Sequence, residues 1–341
     1  MSVRFVEVEP GVLRLRSEDR RPLAEGWGRV RVAACGVCGT DLHLFHGMDL
    51  PRGKTYPVRP GHEVAGTVIE GDDGRIRPGA EVVLHPLLPC GDCPACRRGF
   101  ENRCRTARAI GIDDDGGLAD EVVWPLSRMV PTPGLPADQA AVLADAVASA
   151  YHALLLAAPP RGGTLTVLGA GGVGTHILQL ARVLDPEVRL TAVVRSDGTA
   201  ERLRRLSLGL ELVHGLDGCA RRVLAASGPQ DAVIEFGAGP AAGPEGPPML
   251  ARGGRFVLGS VSSAALDLGT TLSALVTREL QVIGSYASTL ADLEAVAELA
   301  TSSRLDLGAS VSHRVPLENA GEALELLERR PAGLSRVVVK P

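Results

Sequence analysis

The sequence predicts an α/β chain with two domains, one rich in short strands and one built on a doubly wound parallel sheet. Up to about residue 140, short β-like runs alternate with turns, as in residues 28–37 and 64–71. After Pro159, continuously apolar strands alternate with helices, which is typical of a parallel sheet covered on both faces. The length of 341 residues suits two domains of ordinary size.

The elements of the second half follow from their periodicity. A long apolar run predicts a helix at 136–158, and the Gly/Pro-rich stretch at 237–248 predicts a loop. Strands are predicted at 164–171, 189–194, 232–238, 255–261 and 335–341. Helices are predicted at 173–184, 198–208 and 289–302.

Composition and charge narrow the class of protein. A formal net charge of −4 implies no basic surface for nucleic acid. We expect no apolar run long enough to span a bilayer, and the N-terminus lacks the layout of a signal peptide, so we predict a cytoplasmic protein without a membrane partner. Seven cysteines, an odd number without an export signal, favour metal binding or reactive thiols over disulfides.

Four of these cysteines form one compact block. Cys90, Cys93, Cys96 and Cys104 are spaced C-x2-C-x2-C-x7-C, which matches a closed tetrahedral zinc site with a structural role. Four free thiols in a surface loop and an iron–sulfur cluster are the alternatives. The last interval does not match the bacterial ferredoxin run, and no proline follows Cys104.

A glycine-rich turn follows the strand at 164–171. Gly169, Gly171 and Gly174 form G-x-G-x-x-G between a strand and a helix, which in this context predicts a dinucleotide site. The first glycine would make the tight turn, the second would let the backbone approach the pyrophosphate, and the third would let helix and strand pack closely. A glycine-rich connection without a ligand is the alternative.

The end of the next strand bears on the choice of cofactor. Val194 occupies the place where an acid would bind the ribose 2′-hydroxyl of NAD. Arg195 could pair with a 2′-phosphate and Ser196 could donate to it, which favours NADP(H). Asp197 could still be recruited for NAD(H).

A second metal site requires residues from distant segments. A catalytic zinc takes three protein ligands and keeps one position open. Cys38 and His62 would supply two, and Asp145, an acid inside an apolar helical run, is the candidate for the third. A helix cap or turn residue is the alternative for Asp145. Cys35, which forms C-x-x-C with Cys38, is interpreted as a small core residue.

Together these motifs resemble the zinc-dependent medium-chain dehydrogenase/reductases, the alcohol dehydrogenase family. The resemblance rests on CGVCGTDLH, RPGHEVAGTV, the four-cysteine block, LGAGGVG and DAVASAYHAL, and it covers the chain from about Val3 to Val339. It implies a discontinuous GroES-like catalytic domain at 1–147 and 286–341, with a structural zinc lobe at about 88–106. It also implies a Rossmann domain at 148–285.

The resemblance implies roles for individual residues. Cys38, His62 and Asp145 would bind the catalytic zinc, with Glu63 behind the metal and Asp41 orienting the zinc histidine. Thr40 and His43 match the proton relay of the family. Support of the fold is the alternative for Glu63 and Asp41, and an ordinary surface histidine is the alternative for His43. The expected cofactor contacts are Gly169, Gly171, Gly172, Val173, Gly174, Arg195, Ser196, Gly237, Gly259 and Ser260.

Three further residues are candidates for the substrate pocket. Phe45 and Met48 fall where some relatives carry bulky tryptophans, so a larger or more varied substrate is expected, although core packing is the alternative. His85 lies near a stretch that often lines the pocket. His46 and His152 are assigned no role.

The function predicted is the interconversion of an alcohol and an aldehyde or ketone by hydride transfer with NAD(P), aided by two zinc ions per chain. A reductase of the same superfamily that acts on an imine or a conjugated double bond is one alternative. A non-catalytic sensor that binds zinc and nucleotide is another. The family forms homodimers and homotetramers, so we expect one of these.

Overall fold

The computed structural model describes residues 2–331 and 333–341 of the chain. Its strands, numbered in chain order, are β1 (Ser2–Glu9), β2 (Val12–Asp19), β3 (Trp27–Val37), β4 (Glu63–Glu70), β5 (Glu81–Leu84), β6 (Leu87–Leu88), β7 (Arg108–Ala109), β8 (Glu121–Pro125), β9 (Met129–Pro131), β10 (Thr164–Leu168), β11 (Arg189–Val194), β12 (Leu210–His214), β13 (Gln230–Glu235), β14 (Leu250–Leu258), β15 (Gln281–Gly284), β16 (Val311–Pro316) and β17 (Arg336–Lys340).

The α-helices, numbered in the same way, are α1 (Gly39–Phe45), α2 (Ala137–Val142), α3 (Ala148–Ala157), α4 (Gly172–Leu184), α5 (Asp197–Arg205), α6 (Cys219–Ser227), α7 (Gly246–Met249), α8 (Leu272–Thr277), α9 (Leu290–Thr301) and α10 (Ala320–Arg329). Between α2 and α3 the chain makes a π-helical turn, Leu143–Val147.

The chain divides into two compact units. The first comprises Met1–Ala148 and Ser288–Pro341, and the second comprises Ser149–Ala287. In the second unit, the described strands form a parallel sheet in the order β12-β11-β10-β13-β14-β15. Strand β10 is buried along its whole length because helices cover both faces of such a sheet. This confirms the predicted doubly wound parallel sheet.

The first unit is built on a mainly antiparallel sheet in the order β16-β17-β3-β4-β5-β9, with β8 also paired to β3. Strands β3 and β4 pair in a register that places Gly36 opposite Glu63. A Cβ atom on Gly36 would lie 2.1 Å from a carboxylate oxygen of Glu63, so glycine is the residue that leaves room for this side chain. The β-rich domain predicted for this part of the chain is confirmed.

Three expectations need correction. The predicted helix at 136–158 is interrupted by the π turn. The predicted loop at 237–248 contains a 3-10 turn, Gly239–Ala242, and the short helix α7, each with proline in its first turn, where the missing N–H costs nothing. Contrary to the expectation that no apolar run could span a bilayer, the segment Ala137–Ala157 is long and apolar enough to do so. However, 78% of its most apolar window is buried inside the protein, as in a core helix.

A buried polar network in the first unit centres on His85. Its Nδ1 accepts a hydrogen bond from Nη2 of Arg128 at 2.7 Å, and its Nε2 donates to the carbonyl oxygen of Ser288 at 3.2 Å. Arg128 also lies 3.5 Å from Oε1 of Glu101, which accepts the backbone N–H of Leu290 at 2.8 Å. The network therefore ties the four-cysteine segment to the start of α9.

This arrangement predicts a pH dependence of stability. Burial, with the neighbouring charge of Arg128, lowers the pKa of His85 from 6.5 to about 4. Between pH 6.5 and 4, His85 is protonated in the unfolded chain but stays neutral in the folded chain. The free energy of unfolding therefore decreases as the pH falls from 6.5 toward 4. The loss should reach about 3 kcal/mol at most. We expect His85→Gln, which cannot titrate, to show a shallower decline in urea unfolding over this window. An unchanged slope would contradict the assignment.

Candidate active site

The site begins where β3 ends and α1 starts. Cys38 is the N-cap of α1, and its Sγ accepts the backbone N–H of Thr40 at 3.3 Å. Asp41 completes a capping box, because its Oδ2 accepts the N–H of Cys38 at 2.9 Å. The cap fixes the direction in which the thiol points.

Side chains from three distant segments converge beside this cap. The Sγ of Cys38 lies 3.1 Å from Nε2 of His62, which lies 3.8 Å from Oδ2 of Asp145. With a carboxylate oxygen of Glu63, these donor atoms all lie within 4.8 Å of one another. Asp145 lies in the π turn, a distortion that often occurs at functional sites. One thiolate, one imidazole and one carboxylate match the ligands of a catalytic zinc.

The environment of Glu63 provides a test of whether a metal fits. Its side chain is fully buried, and among the described residues neither carboxylate oxygen has a hydrogen-bond partner. Burial raises the pKa of Glu63 to about 7, although Arg336, with Nη1 3.2 Å from Oε1, opposes the shift. A buried carboxylate without hydrogen bonds is costly, and a cation among these four residues would offset that cost. The residues therefore fit zinc.

Asp41 contacts the backbone more closely than the imidazole. Its Oδ1 accepts the N–H of Gly61 at 3.1 Å, and the same oxygen lies 3.9 Å from Nδ1 of His62. The carboxylate thus joins the segments on either side of the cluster, those of Cys38 and His62. Its predicted role in orienting the histidine ring stays a prediction.

The remaining predicted residues of this part lie on or near α1. Thr40 is half-buried and His43 is exposed, one turn apart on the same helix. Phe45 and Met48 are half-buried against the core of the first unit. His85 has no exposed surface, and both of its nitrogens are engaged in the network described above, so neither is free to bind a substrate. His46 instead pairs with Glu328 at 2.9 Å.

The four cysteines of the predicted structural site also converge. Sγ–Sγ distances are 3.4 Å for Cys93 and Cys96, 3.6 Å for Cys90 and Cys104, and 4.0 Å for Cys90 and Cys96. Burial disfavours the Cys104 thiolate, but hydrogen bonds from the backbone of Cys90 and from Thr106 outweigh it and lower the pKa of Cys104 to about 6. Because zinc binds thiolates, this set of donors fits a tetrahedral ion.

In the second unit, the glycine turn lies between β10 and α4. A Cβ on Gly169 would lie 2.4 Å from the carbonyl oxygen of Phe236, and one on Gly174 would lie 2.0 Å from that of Gly169. A Cβ on Gly171 would meet no atom of the described residues within 4 Å, so that side of the turn is open to a ligand. The helix starts at Gly172 and Val173, where unpaired backbone N–H groups favour a phosphate. The turn therefore fits the pyrophosphate of a dinucleotide.

The predicted contacts around the ribose are also brought together. Nη2 of Arg195 donates to the carbonyl oxygen of Gly237 at 3.2 Å. Ser196 is the N-cap of α5. Asp197, the residue that could contact NAD(H), has its Oδ1 atom 3.6 Å from Nδ1 of His214.

Sequence reasoning missed Glu235, which ends β13 and is buried. Its carboxylate accepts hydrogen bonds from Ala238, Gly239 and Ser260. The available signal was an acid at the end of an apolar strand, just before Gly237.

Comparison with known proteins identifies the family. The family model of the alcohol dehydrogenase GroES-like domain matches residues 24–134. D-altritol 5-dehydrogenase of Agrobacterium fabrum (strain C58) is 30% identical over 97% of this chain and 96% of its own length. The chain belongs to the zinc-containing medium-chain alcohol dehydrogenase family. It is an NAD(P)-dependent dehydrogenase of the alcohol and polyol class.

Two further members of the family cover nearly the whole chain. An NAD-dependent alcohol dehydrogenase of Saccharolobus solfataricus is 30% identical over 92% of both chains. A solved structure described as a zinc-binding dehydrogenase from Sinorhizobium meliloti 1021, bound to NADP, is 27% identical with a TM-score of 0.88 over 100% of both chains. The family therefore contains proteins that use either dinucleotide.

The two clusters predict the metal content of single variants. We expect about two zinc ions per wild-type chain and about one in both Cys38→Ser and Cys104→Ser, since each removes a thiolate ligand. Cys38→Ser should lose activity while keeping most thermal stability, and Cys104→Ser should lose stability. Plasma mass spectrometry and thermal unfolding would measure the two effects. Cys35→Ser, which removes a buried thiol outside both clusters, is the control and should keep both ions.

Proposed function

We propose that the chain oxidises a small alcohol or polyol to the corresponding aldehyde or ketone, or catalyses the reverse reduction, by hydride transfer with NAD(P). The observation that carries this proposal is the convergence of Cys38, His62 and Asp145 beside the helix that bears Thr40 and His43. Bound by these three residues, zinc supplies Lewis-acid polarisation of the substrate oxygen. Glu63 lies in the same cluster, with a carboxylate oxygen within 4.8 Å of the other three donor atoms.

Thr40 and His43 would move the proton. The half-buried hydroxyl of Thr40 is suited to bind the substrate oxygen, and the exposed imidazole of His43, one turn further on, is suited to release the proton to solvent. Reduction of a conjugated double bond has no need of such a path at the oxygen. The relay pair therefore favours alcohol chemistry over the reductase alternative.

The cofactor preferred is NADP(H), with NAD(H) also bound. Arg195 and Ser196 follow β11 where an acid would bind the ribose of NAD, and Arg195 lies beside Gly237, another expected cofactor contact. We propose a homodimer or homotetramer as the assembly and the cytoplasm as the location. Which hydroxyl group of which alcohol is oxidised is best determined with a panel of aliphatic, aromatic, polyol and amino-alcohol substrates.

The relay predicts a selective loss of turnover. Thr40→Ala and His43→Gln should each lower kcat by about 10²-fold, with zinc content and thermal stability unchanged, because each breaks the proton path. Thr40→Ser should keep most of the activity, since it retains the hydroxyl. His46→Gln changes another exposed histidine, three positions further on, and is the control, which should behave as wild type. Normal turnover in His43→Gln would eliminate the relay.

The cofactor assignment predicts a difference between two dissociation constants. Arg195→Ala should weaken NADPH binding by about tenfold and NADH binding by a clearly smaller factor, because only NADPH carries the 2′-phosphate while both cofactors meet Gly237, which Arg195 contacts. Quenching of nicotinamide fluorescence measures both constants. Arg189→Ala, an exposed arginine at the opposite end of β11, serves as the control. Equal losses for the two cofactors would contradict a 2′-phosphate contact.

A further inference from the structure

Glu235 joins two loops of the second unit. It is the last residue of β13 and is 1% exposed. Its Oε1 accepts the backbone N–H groups of Ala238 and Gly239, both at 2.8 Å, from the loop that follows its own strand. From the loop that follows β14, it accepts the hydroxyl of Ser260 at 2.6 Å and its N–H at 3.1 Å. One carboxylate therefore fixes the distance between these loops.

The same network reaches the residues expected to contact the dinucleotide. The Oγ of Ser260, which donates to Glu235, accepts the N–H of Gly237 at 2.8 Å. The carbonyl oxygen of Gly237 in turn accepts the guanidinium of Arg195. The exposed Gly237 is thus held through both of its polar backbone atoms. A change at Glu235 would reach Gly237 and Ser260 without touching the glycine turn itself.

The buried carboxylate of Glu235 is stabilised by hydrogen bonds and not by an ion pair among the described residues. Among the described residues, no ion pair includes Glu235, and its hydrogen bonds come from backbone N–H groups and one hydroxyl. Ordered N–H dipoles stabilise a carboxylate only where the backbone is held in one conformation. The buried carboxylate therefore acts as a template on which both loops are ordered.

We propose that Glu235 is a positioning residue for the dinucleotide, which holds Gly237 and Ser260 in the conformation that receives it. This inference rests on the proposed function, because it takes these two residues as cofactor contacts. Glu235 acts through them and touches no reacting atom. Without its carboxylate, part of the free energy of cofactor binding would be spent on ordering the two loops.

Glu245 provides a matched comparison in the same unit. Its carboxylate also accepts two backbone N–H groups, those of Gly218 and Ala220, each at 2.7 Å. These donors lie at the start of α6, and Glu245 forms no hydrogen bond with an expected cofactor contact among the described residues. Glu245 lies further along the same connection between β13 and β14, and replacing it removes a carboxylate that accepts two backbone N–H groups while leaving every hydrogen bond of Glu235 in place.

The experiment compares Glu235→Gln, Glu245→Gln and Ser260→Ala in the full, zinc-loaded chain. Nicotinamide fluorescence gives the dissociation constants for NADH and NADPH without any turnover, and thermal unfolding gives stability. We expect Glu235→Gln to weaken both cofactors by about tenfold, since its amide N–H₂ would face donors, while Glu245→Gln lowers stability alone. Ser260→Ala should weaken binding by a smaller factor, and the double variant by less than the product of the two.

Two outcomes would overturn the proposal. The proposal fails if Glu235→Gln and Ser260→Ala both bind the cofactors as tightly as wild type does. It also fails if Glu245→Gln weakens cofactor binding as much as Glu235→Gln does, because the effect would then come from a general loss of stability. If Glu235→Gln fails to fold, Glu235→Asp, which shortens the side chain by one methylene, takes its place, and wild-type dissociation constants for both cofactors in that variant would overturn the proposal. A different result would refute the proposed function. If the wild-type protein binds the dinucleotide but oxidises no alcohol or polyol, the proposed function is wrong, while the role of Glu235 in cofactor binding still stands.

Discussion

The pairing of β3 with β4 is the constraint on which the metal cluster depends. Their register places Gly36 opposite Glu63, so Cys38, just beyond one strand, and His62, just before the other, meet at the same end of the sheet. Asp41 then accepts N–H groups from both segments and holds the two ligands at one separation. A shift of one residue would turn Glu63 to the other face of the sheet.

The second unit uses a different device for the same purpose. In a parallel sheet, loops at the carboxyl ends of neighbouring strands lie side by side. Gly169, Arg195 and Gly237 follow β10, β11 and β13 in this way, although they are far apart in sequence. Hydrogen bonds between the loops, rather than a single turn, then order this edge of the sheet.

The sequence predicted the residues that lie together in one short segment, but not how residues from distant segments are arranged in space. Spacing alone predicted the block from Cys90 to Cys104 and the glycine turn, because each is contained in one short segment. Asp145 stood out as an acid inside an apolar helical run, and the resemblance to a family supported joining it with Cys38, since no local pattern links such distant residues. The π turn was missed because apolar periodicity cannot show one extra residue in a helical turn. The acid at the end of an apolar strand is visible in the sequence, but the role of Glu235 was missed because its hydrogen-bond partners are brought to it only by tertiary packing.

The contacts of His85 and Glu101 have a consequence for how the chain is connected. The second unit is an insertion: the chain leaves the first unit after Ala148 and returns at Ser288. On its return, the carbonyl of Ser288 is bound by His85 and the N–H of Leu290 by Glu101. The entropic cost of closing a long loop grows slowly with its length. These two hydrogen bonds hold the returning chain in the first unit, and the length of the inserted domain adds little to the cost of bringing its two ends together.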